Sequence, residues 1–600
     1  MLSTKRRALM APLAILAAAS FALTSCSSGD SGSGDAGSAK DTVSYALPVG
    51  TGPNWLLPIA SPDTMATHNS AIKSTLFVPL FEFNGTSGTM EWDKKASAAK
   101  SYEFSDDKKT ISITLNDLNW ADGTPLSSRD VEFWYNLVRF NGEATGGYSA
   151  GMIPDNITKF ETVDEKTFKL TFDKVYNEDF LLANQLTLVR PMPQHAWDKT
   201  SADGEIGDLD RDKAGSKQVL DYLFKEAGDL ASYATNPLWK VVNGPYQVGT
   251  WSDSGEVTLE ANDKYTGEDK PSIKTVKFLP YTSTDAEMNT VRAGEVDYGY
   301  ITASQMENKA QFTDNGYEVK PWDGWSITYM PYNFKSDSMG KVFSQLYVRQ
   351  ALQHAVDQPS LSKVVWHDAA TPDYGPIPQT PESDYLSQVQ KDNPYPYDLD
   401  AASKLFADHG WTKNGDVLEC TNPGTGADEC GEGIEQGKKM EIVFTTQNGS
   451  QETDNMMATI QSAMAQVGVK VTIDAKPLDN VLAEAQTCKQ GTKCDWQFVF
   501  FGTAGSWYFP AYPTGERVFA KDTKWNAGQY DNPEAEKLVT SMTTSTDPQI
   551  AQKYSELLAK DLPVMWMPNP VYQVSVIKNG LDVGHQDPGA SFYPQRWSWK

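Results

Sequence analysis

Apolar and polar side chains alternate through Ile111, Ile113 and Leu115, the period of a strand with one face buried. The preceding Ser105-Asp106-Asp107-Lys108-Lys109 reads as its hairpin turn. After Trp120 the chain turns at Ala121-Asp122-Gly123-Thr124-Pro125, then offers Ser127 or Ser128 as N-cap to a helix carrying Val131, Phe133 and Trp134. Phe160 to Phe172 repeats the alternating hairpin, and Gly244-Pro245 set a tight turn before an apolar strand, Tyr246 to Trp251, with Val257 to Glu260 as its partner. A strand over Ile273 to Leu279 leads to a helix over Thr284 to Ala293, which Gly294 ends. Val348, Ala351, Leu352, Ala355 and Val356 share one helical face. Met440, Ile442 and Phe444 alternate as a strand; Met456, Ile460, Met464 and Val467 stripe a helix that Gly468 terminates; Val469, Val471 and Ile473 alternate again. That order predicts a β-α-β unit with a parallel strand pair. Trp496 to Phe501 is a near-continuous apolar run, as a strand buried on both faces would be, and helices follow around Asn532–Thr543 and Pro548–Asp561.

A chain of 600 residues is too long for one hydrophobic core, so two or three lobes are expected. Hydrophobic content of 40% and aromatic content of 11% place it among folded globular proteins. The formal charge of -26 argues against nucleic acid as a partner, because neutralising phosphates needs a basic surface. Lys5, Arg6 and Arg7, the apolar Ala8 to Leu23, and Leu23-Thr24-Ser25-Cys26 read as a secretory signal over residues 1–25. The closing tetrad resembles the bacterial lipobox, which implies acylation of Cys26, and the Gly/Ser-rich stretch to Lys40 reads as a flexible tether within a linker over 26–41. Export makes disulfides the expected state of the remaining cysteines. Of the three connectivities, proximity favours Cys420 with Cys430 and Cys488 with Cys494, whose spacings do not match zinc-ligand patterns.

No catalytic constellation emerges. Gly147-Tyr148-Ser149-Ala150-Gly151 spells G-x-S-x-G, but a nucleophile elbow needs a buried strand before the serine and a helix after it, and Glu143 to Gly146 and Pro154 offer neither. The six histidines are scattered singly without metal-ligand spacing. No metal and no cofactor is implied.

As a whole, Trp120-Ala121-Asp122-Gly123-Thr124-Pro125-Leu126-Ser127-Ser128-Arg129-Asp130-Val131 resembles the signature of the extracellular solute-binding proteins of ATP-driven importers, in the peptide, nickel and oligosaccharide-binding family. Asn243-Gly244-Pro245-Tyr246-Gln247-Val248 with Trp251, Gly294-Glu295-Val296-Asp297, and Val348-Arg349-Gln350-Ala351-Leu352 resemble further family segments in the family's order. The resemblance implies an α/β fold, a periplasmic-binding-protein-like two-lobed clamp with an extra subdomain and discontinuous mixed sheets. Its expected parts are lobe I over 42–83, 228–322 and 566–600, the extra subdomain over 84–227, and lobe II over 323–565. It also implies the function: capture of a solute, an oligopeptide first and an oligosaccharide or other neutral ligand second, and delivery to a membrane permease of an ABC importer. The protein would be a lipid-anchored monomer on the outer face of the bacterial membrane. A secreted hydrolase is the remote alternative.

Expected ligand-binding residues are Trp325 on the crossing between lobes, Tyr374, and Trp507 and Tyr508 after the buried strand. In peptide binders of the family the loop after that strand carries an aspartate for the ligand's α-ammonium. Here Gly502 to Pro510 contains no acid, and an ammonium buried without a carboxylate is costly.

Overall fold

The computed structural model describes residues 40–49, 52–64, 68–85, 90–252, 254–486 and 495–600. Cys26, Cys488 and Cys494 therefore lie outside the described residues.

The alternating segments become strands in three main sheets. A seven-stranded mixed sheet has the order Tyr317–Trp322, Gln573–Lys578, Tyr298–Ile301, Thr42–Ala46, Thr275–Leu279, Val257–Ala261, Tyr246–Trp251. Thr42–Ala46 runs parallel to both of its neighbours, and the remaining pairs are antiparallel. Its strands come from three separate stretches of chain, as in a discontinuous lobe. The helix Thr284–Arg292 between two of them is capped by Ser283 and ends before Gly294, whose φ of +74° suits glycine.

The hairpin Ala99–Phe104 with Thr110–Leu115 joins Thr167–Phe172 and Ile157–Thr162 in a four-stranded antiparallel sheet. Ile111, Ile113 and Leu115 point into the core while their neighbours keep solvent access, as the alternation requires. Ser127 caps the helix Ser128–Asn141. That helix packs against Lys213–Ala227.

The β-α-β unit forms as expected: Glu441–Gln447, the helix Gln451–Gln466, and Lys470–Lys476 in parallel register from Glu441↔Lys470 to Gln447↔Lys476. Phe498–Phe500 adds on the other side, also parallel and wholly buried. The apolar run from Trp496 is longer than the strand it builds. Trp496 instead joins Val481 and Val499 in a small core of its own.

Two segments link this sheet to the seven-stranded one. Tyr329–Pro331 pairs antiparallel with Val564–Trp566, and Ser326–Ile327 pairs with Trp507–Tyr508. Asn569 ties the crossing together: its Oδ1 accepts from the hydroxyls of Ser326 at 3.1 Å and Thr328 at 2.9 Å, and its Nδ2 donates to the Ser326 carbonyl at 2.9 Å. The helical face at Val348 lies in the helix Leu346–Gln353, shorter than its apolar pattern because His354 ends it. Cys420 and Cys430 form a disulfide with Cα atoms 6.1 Å apart.

Candidate functional site

A cleft of about 1270 Å³ opens where the parallel strands end. On one side, Pro48 and Val49 follow Thr42–Ala46, Tyr300 to Ser304 end and follow Tyr298–Ile301, and His68 begins the helix His68–Leu76. On the other, Gly449 to Glu452 follow Glu441–Gln447, Leu478 follows Lys470–Lys476, and Thr503, Ala504 and Tyr508 follow Phe498–Phe500. Ligands of open α/β sheets bind at the carboxyl ends of strands, where side chains and helix N-termini converge. Here two sheets turn those ends toward one space.

The walls are fixed from behind. The Tyr300 hydroxyl accepts from the Val49 N–H at 2.7 Å, and the Tyr300 N–H donates to Glu287 at 3.1 Å. Glu287 is wholly buried, and burial pushes its carboxyl up to about 8 against the hydrogen bond from Tyr300. The Tyr508 hydroxyl donates to the Ala504 carbonyl at 2.9 Å, folding the loop over its ring. Gly505, at φ +89°, passes so close to that ring that a Cβ would lie 3.0 Å from it.

A hydrogen bond spans the cleft. The Ser304 N–H donates to Glu452 Oε1 at 2.9 Å, while Ser450 Oγ donates to Oε2 at 2.9 Å. Glu452 is 8% exposed. Burial would raise its carboxyl, but hydrogen bonds from its own N–H, from Ser304 and from Ser450 outweigh that and hold it below the usual value. The first turn of the Gln451–Gln466 helix also favours the anion.

Among the described residues lining the cleft there is no lysine or arginine. The ionisable groups besides tyrosine are Asp63, His68 and Glu452. Burial lowers the His68 imidazole, which favours its neutral form. Aromatic surface comes from Tyr300, Trp366, Tyr508 and Tyr572.

Of the aromatic residues singled out from sequence, Tyr508 lines this cleft and is 38% exposed. Trp507 points elsewhere, between the Arg517 guanidinium at 5.3 Å and the Trp525 ring at 6.1 Å. Tyr374 is half-buried and does not line the cleft. Trp325 departs from the expectation of a cleft-facing wall: it is 1% exposed, and its indole N–H donates to the Pro510 carbonyl at 2.9 Å. Trp325 precedes the strand Ser326–Ile327, whose two residues are also fully buried, so this stretch of the crossing is enclosed rather than open to the cleft. Sequence reasoning missed Asp63, Tyr300, Glu452 and Tyr572. A usable signal existed for Glu452, since Ser450 is an N-cap immediately after a predicted parallel strand.

Two other polar groups have structural explanations. Ser149 sits exposed on a turn with no strand before it. Asp198, Asp208 and Asp210 surround the Arg129 guanidinium, which donates to Asp210 at 2.9 Å and to Asp208 at 3.0 Å.

The family model for bacterial extracellular solute-binding proteins, family 5 Middle, matches residues 95–557. A Brucella ovis protein named for ABC transporter peptide binding is 23% identical over 407 residues, covering 67% of this chain and 64% of that relative. The chain therefore spans less than two thirds of that relative's length. Oligopeptide-binding protein OppA of Bacillus subtilis is 23% identical over 561 residues, covering 90% of this chain and 88% of OppA. The structure of the Bacillus subtilis oligopeptide-binding protein AppA with a nonapeptide superposes with a TM-score of 0.62 at 16% identity, covering 94% of this chain and 100% of AppA.

Proposed function

The chain belongs to the bacterial extracellular solute-binding proteins, family 5, and from that premise we propose that it captures oligopeptides in the cleft and hands them to the membrane permease of an ABC importer. The observation that carries this reading is the cleft itself: about 1270 Å³, larger than the roughly 300–1,000 Å³ of a small-molecule site, and bounded by both sheets. Closure brings Glu452 to Ser304 and Tyr508 against the crossing segments, so an enclosed ligand completes a shape that a permease can recognise. The names of the relatives supply the peptide class. Acylation of Cys26 would hold the protein at the outer face of the membrane, with the stretch to Lys40 as tether.

One observation favours a second reading. The loop Gly502 to Pro510 carries no acid, and the cleft offers tyrosine and tryptophan faces beside hydroxyls of Thr302, Ser304, Ser450 and Thr503, a surface on which a neutral oligosaccharide would stack and hydrogen-bond. No step of chemistry is assigned, because Ser149 has no elbow around it.

Isothermal titration with defined tri- to pentapeptides and with linear oligosaccharides separates the two. Peptides should bind, and Tyr508→Ala should weaken them about tenfold. Heat from the sugars and none from the peptides would overturn the peptide reading.

A further inference from the structure

The turn Ser61 to Thr64 brings a carboxylate to the cleft and leaves it unused. Thr64, not Asp63, closes the turn: the Ser61 N–H donates to Thr64 Oγ1 at 3.0 Å, and the Thr64 N–H donates to the Ser61 carbonyl at 3.1 Å. Asn69, 1% exposed, anchors that turn from beneath, donating to the Thr64 carbonyl at 3.0 Å and to Asn54 Oδ1 at 2.8 Å. The preceding residues are held too, with the Trp55 indole N–H on the Ile59 carbonyl at 3.0 Å and the Gly146 N–H on the Ala60 carbonyl at 2.7 Å. Asp63 is exposed and lines the cleft, and its carboxylate makes no hydrogen bond or ion pair among the described residues.

The other cleft carboxylate is already engaged. Both oxygens of Glu452 are occupied by Ser304 and Ser450. With no lysine or arginine among the described lining residues, the cleft carries an unbalanced negative charge at Asp63. A ligand that removes water from that carboxylate must supply a cation, or the desolvation cost counts against it. Tyrosine and tryptophan rings in the same walls also favour a cation over an anion.

We propose that Asp63 is the charge-selecting residue of the cleft, pairing with the free amino-terminal ammonium of a bound peptide. This rests on the cleft being the peptide site. It explains how the loop after Phe498–Phe500 functions without an acid of its own, because the countercharge comes from the opposite wall. It also sets specificity: a blocked amino terminus loses the pair, and an anionic solute meets repulsion.

The experiment is a cycle of calorimetric titrations with one tripeptide, either with a free amino terminus or N-acetylated, against the wild type, Asp63→Asn and Asp63→Glu. The thermal midpoint of each unliganded variant checks that Asp63, being exposed and unbonded, does not support the fold. The pair is partly solvated, so the expected loss is about 5- to 10-fold. Acetylation should weaken wild-type binding by that factor, Asp63→Asn should weaken the free peptide equally, and the two together should weaken binding little further. Asp63→Glu should recover part of the loss. Wild-type binding of the free peptide that Asp63→Asn leaves unchanged, or losses that multiply, would overturn the role of Asp63 and leave the peptide reading standing. A wild type that binds neither peptide would overturn both.

Discussion

The block Trp120 to Val131 and the turn Ser61 to Thr64 each carry an aspartate, and the two side chains are used in opposite ways. Asp130 is 3% exposed and accepts four hydrogen bonds: from the Ser127 N–H at 2.8 Å, the Ser127 hydroxyl at 3.1 Å, the Gln194 N–H at 3.0 Å and the Trp120 indole at 3.2 Å. It stitches a turn, a helix start and a following segment into one unit. Burial raises its carboxyl although these donors act against the rise. Asp63 stands in solvent with its turn built around it and its oxygens free. A carboxylate consumed by the fold stabilises the fold; one that the fold presents but does not use is available for a ligand.

The largest effect expected from this contrast is on stability. Asp130→Ala strands several buried donors and should lower the unfolding free energy by roughly 3 kcal/mol, read from urea titrations at neutral pH. Peptide affinity of the protein that remains folded should change by less than about twofold, since nothing at Asp130 reaches the cleft. A small loss of stability would mean that the recognisable block is not the support described here.

Glu452 lies between the two cases, buried like Asp130 yet bonded across the cleft. Glu452→Gln replaces a charge-assisted acceptor on the Ser304 N–H with a neutral one, and should weaken ligand binding about tenfold through loss of the closed form. Unliganded stability should fall by no more than about 1 kcal/mol. Scattering or a fluorescent distance pair with one label in each lobe would report the shift toward open. Loss of stability without loss of affinity would place Glu452 with Asp130.

A separate effect, read as a pH dependence rather than as the loss from one substitution, concerns the wall behind Tyr300. Burial pushes the Glu287 carboxyl in the folded chain up to about 8 from an ordinary 4.5. Below the ordinary value both states hold the proton and stability is unaffected. As pH rises from there toward 8, the unfolded chain releases the proton while the folded chain keeps it, so stability declines, levelling off once the folded carboxyl ionises. Denaturation midpoints at pH 5, 6.5 and 8 should fall in that order, and less steeply in Glu287→Gln. Equal slopes in the two proteins would remove Glu287 from the account.

Much of the fold is legible in the sequence because packing enforces period. Ile111, Ile113 and Leu115 alternate since one face of their sheet is buried, and Met456, Ile460 and Met464 stripe a helix since one face lies on parallel strands. The Trp120 block is recognisable because Asp130, Trp120 and Ser127 must satisfy one another. Cleft residues obey no such period. Tyr508 could be anticipated from its place after a buried strand, but Trp325, in another aromatic-rich segment, lies in a stretch that is buried on every side, with its indole N–H on the Pro510 carbonyl. Asp63 carries no local signature, since its meaning comes from Gly449 to Glu452 nearly four hundred residues later, across a space that only the folded chain encloses.

The most direct test of the central claim is to identify what the clamp already holds. Native mass spectrometry of the protein, purified without unfolding and then denatured to release its cargo, should yield oligopeptides with unblocked amino termini, in lower occupancy from Asp63→Asn than from the wild type. Release of oligosaccharides instead, with no peptide above background, would contradict the account.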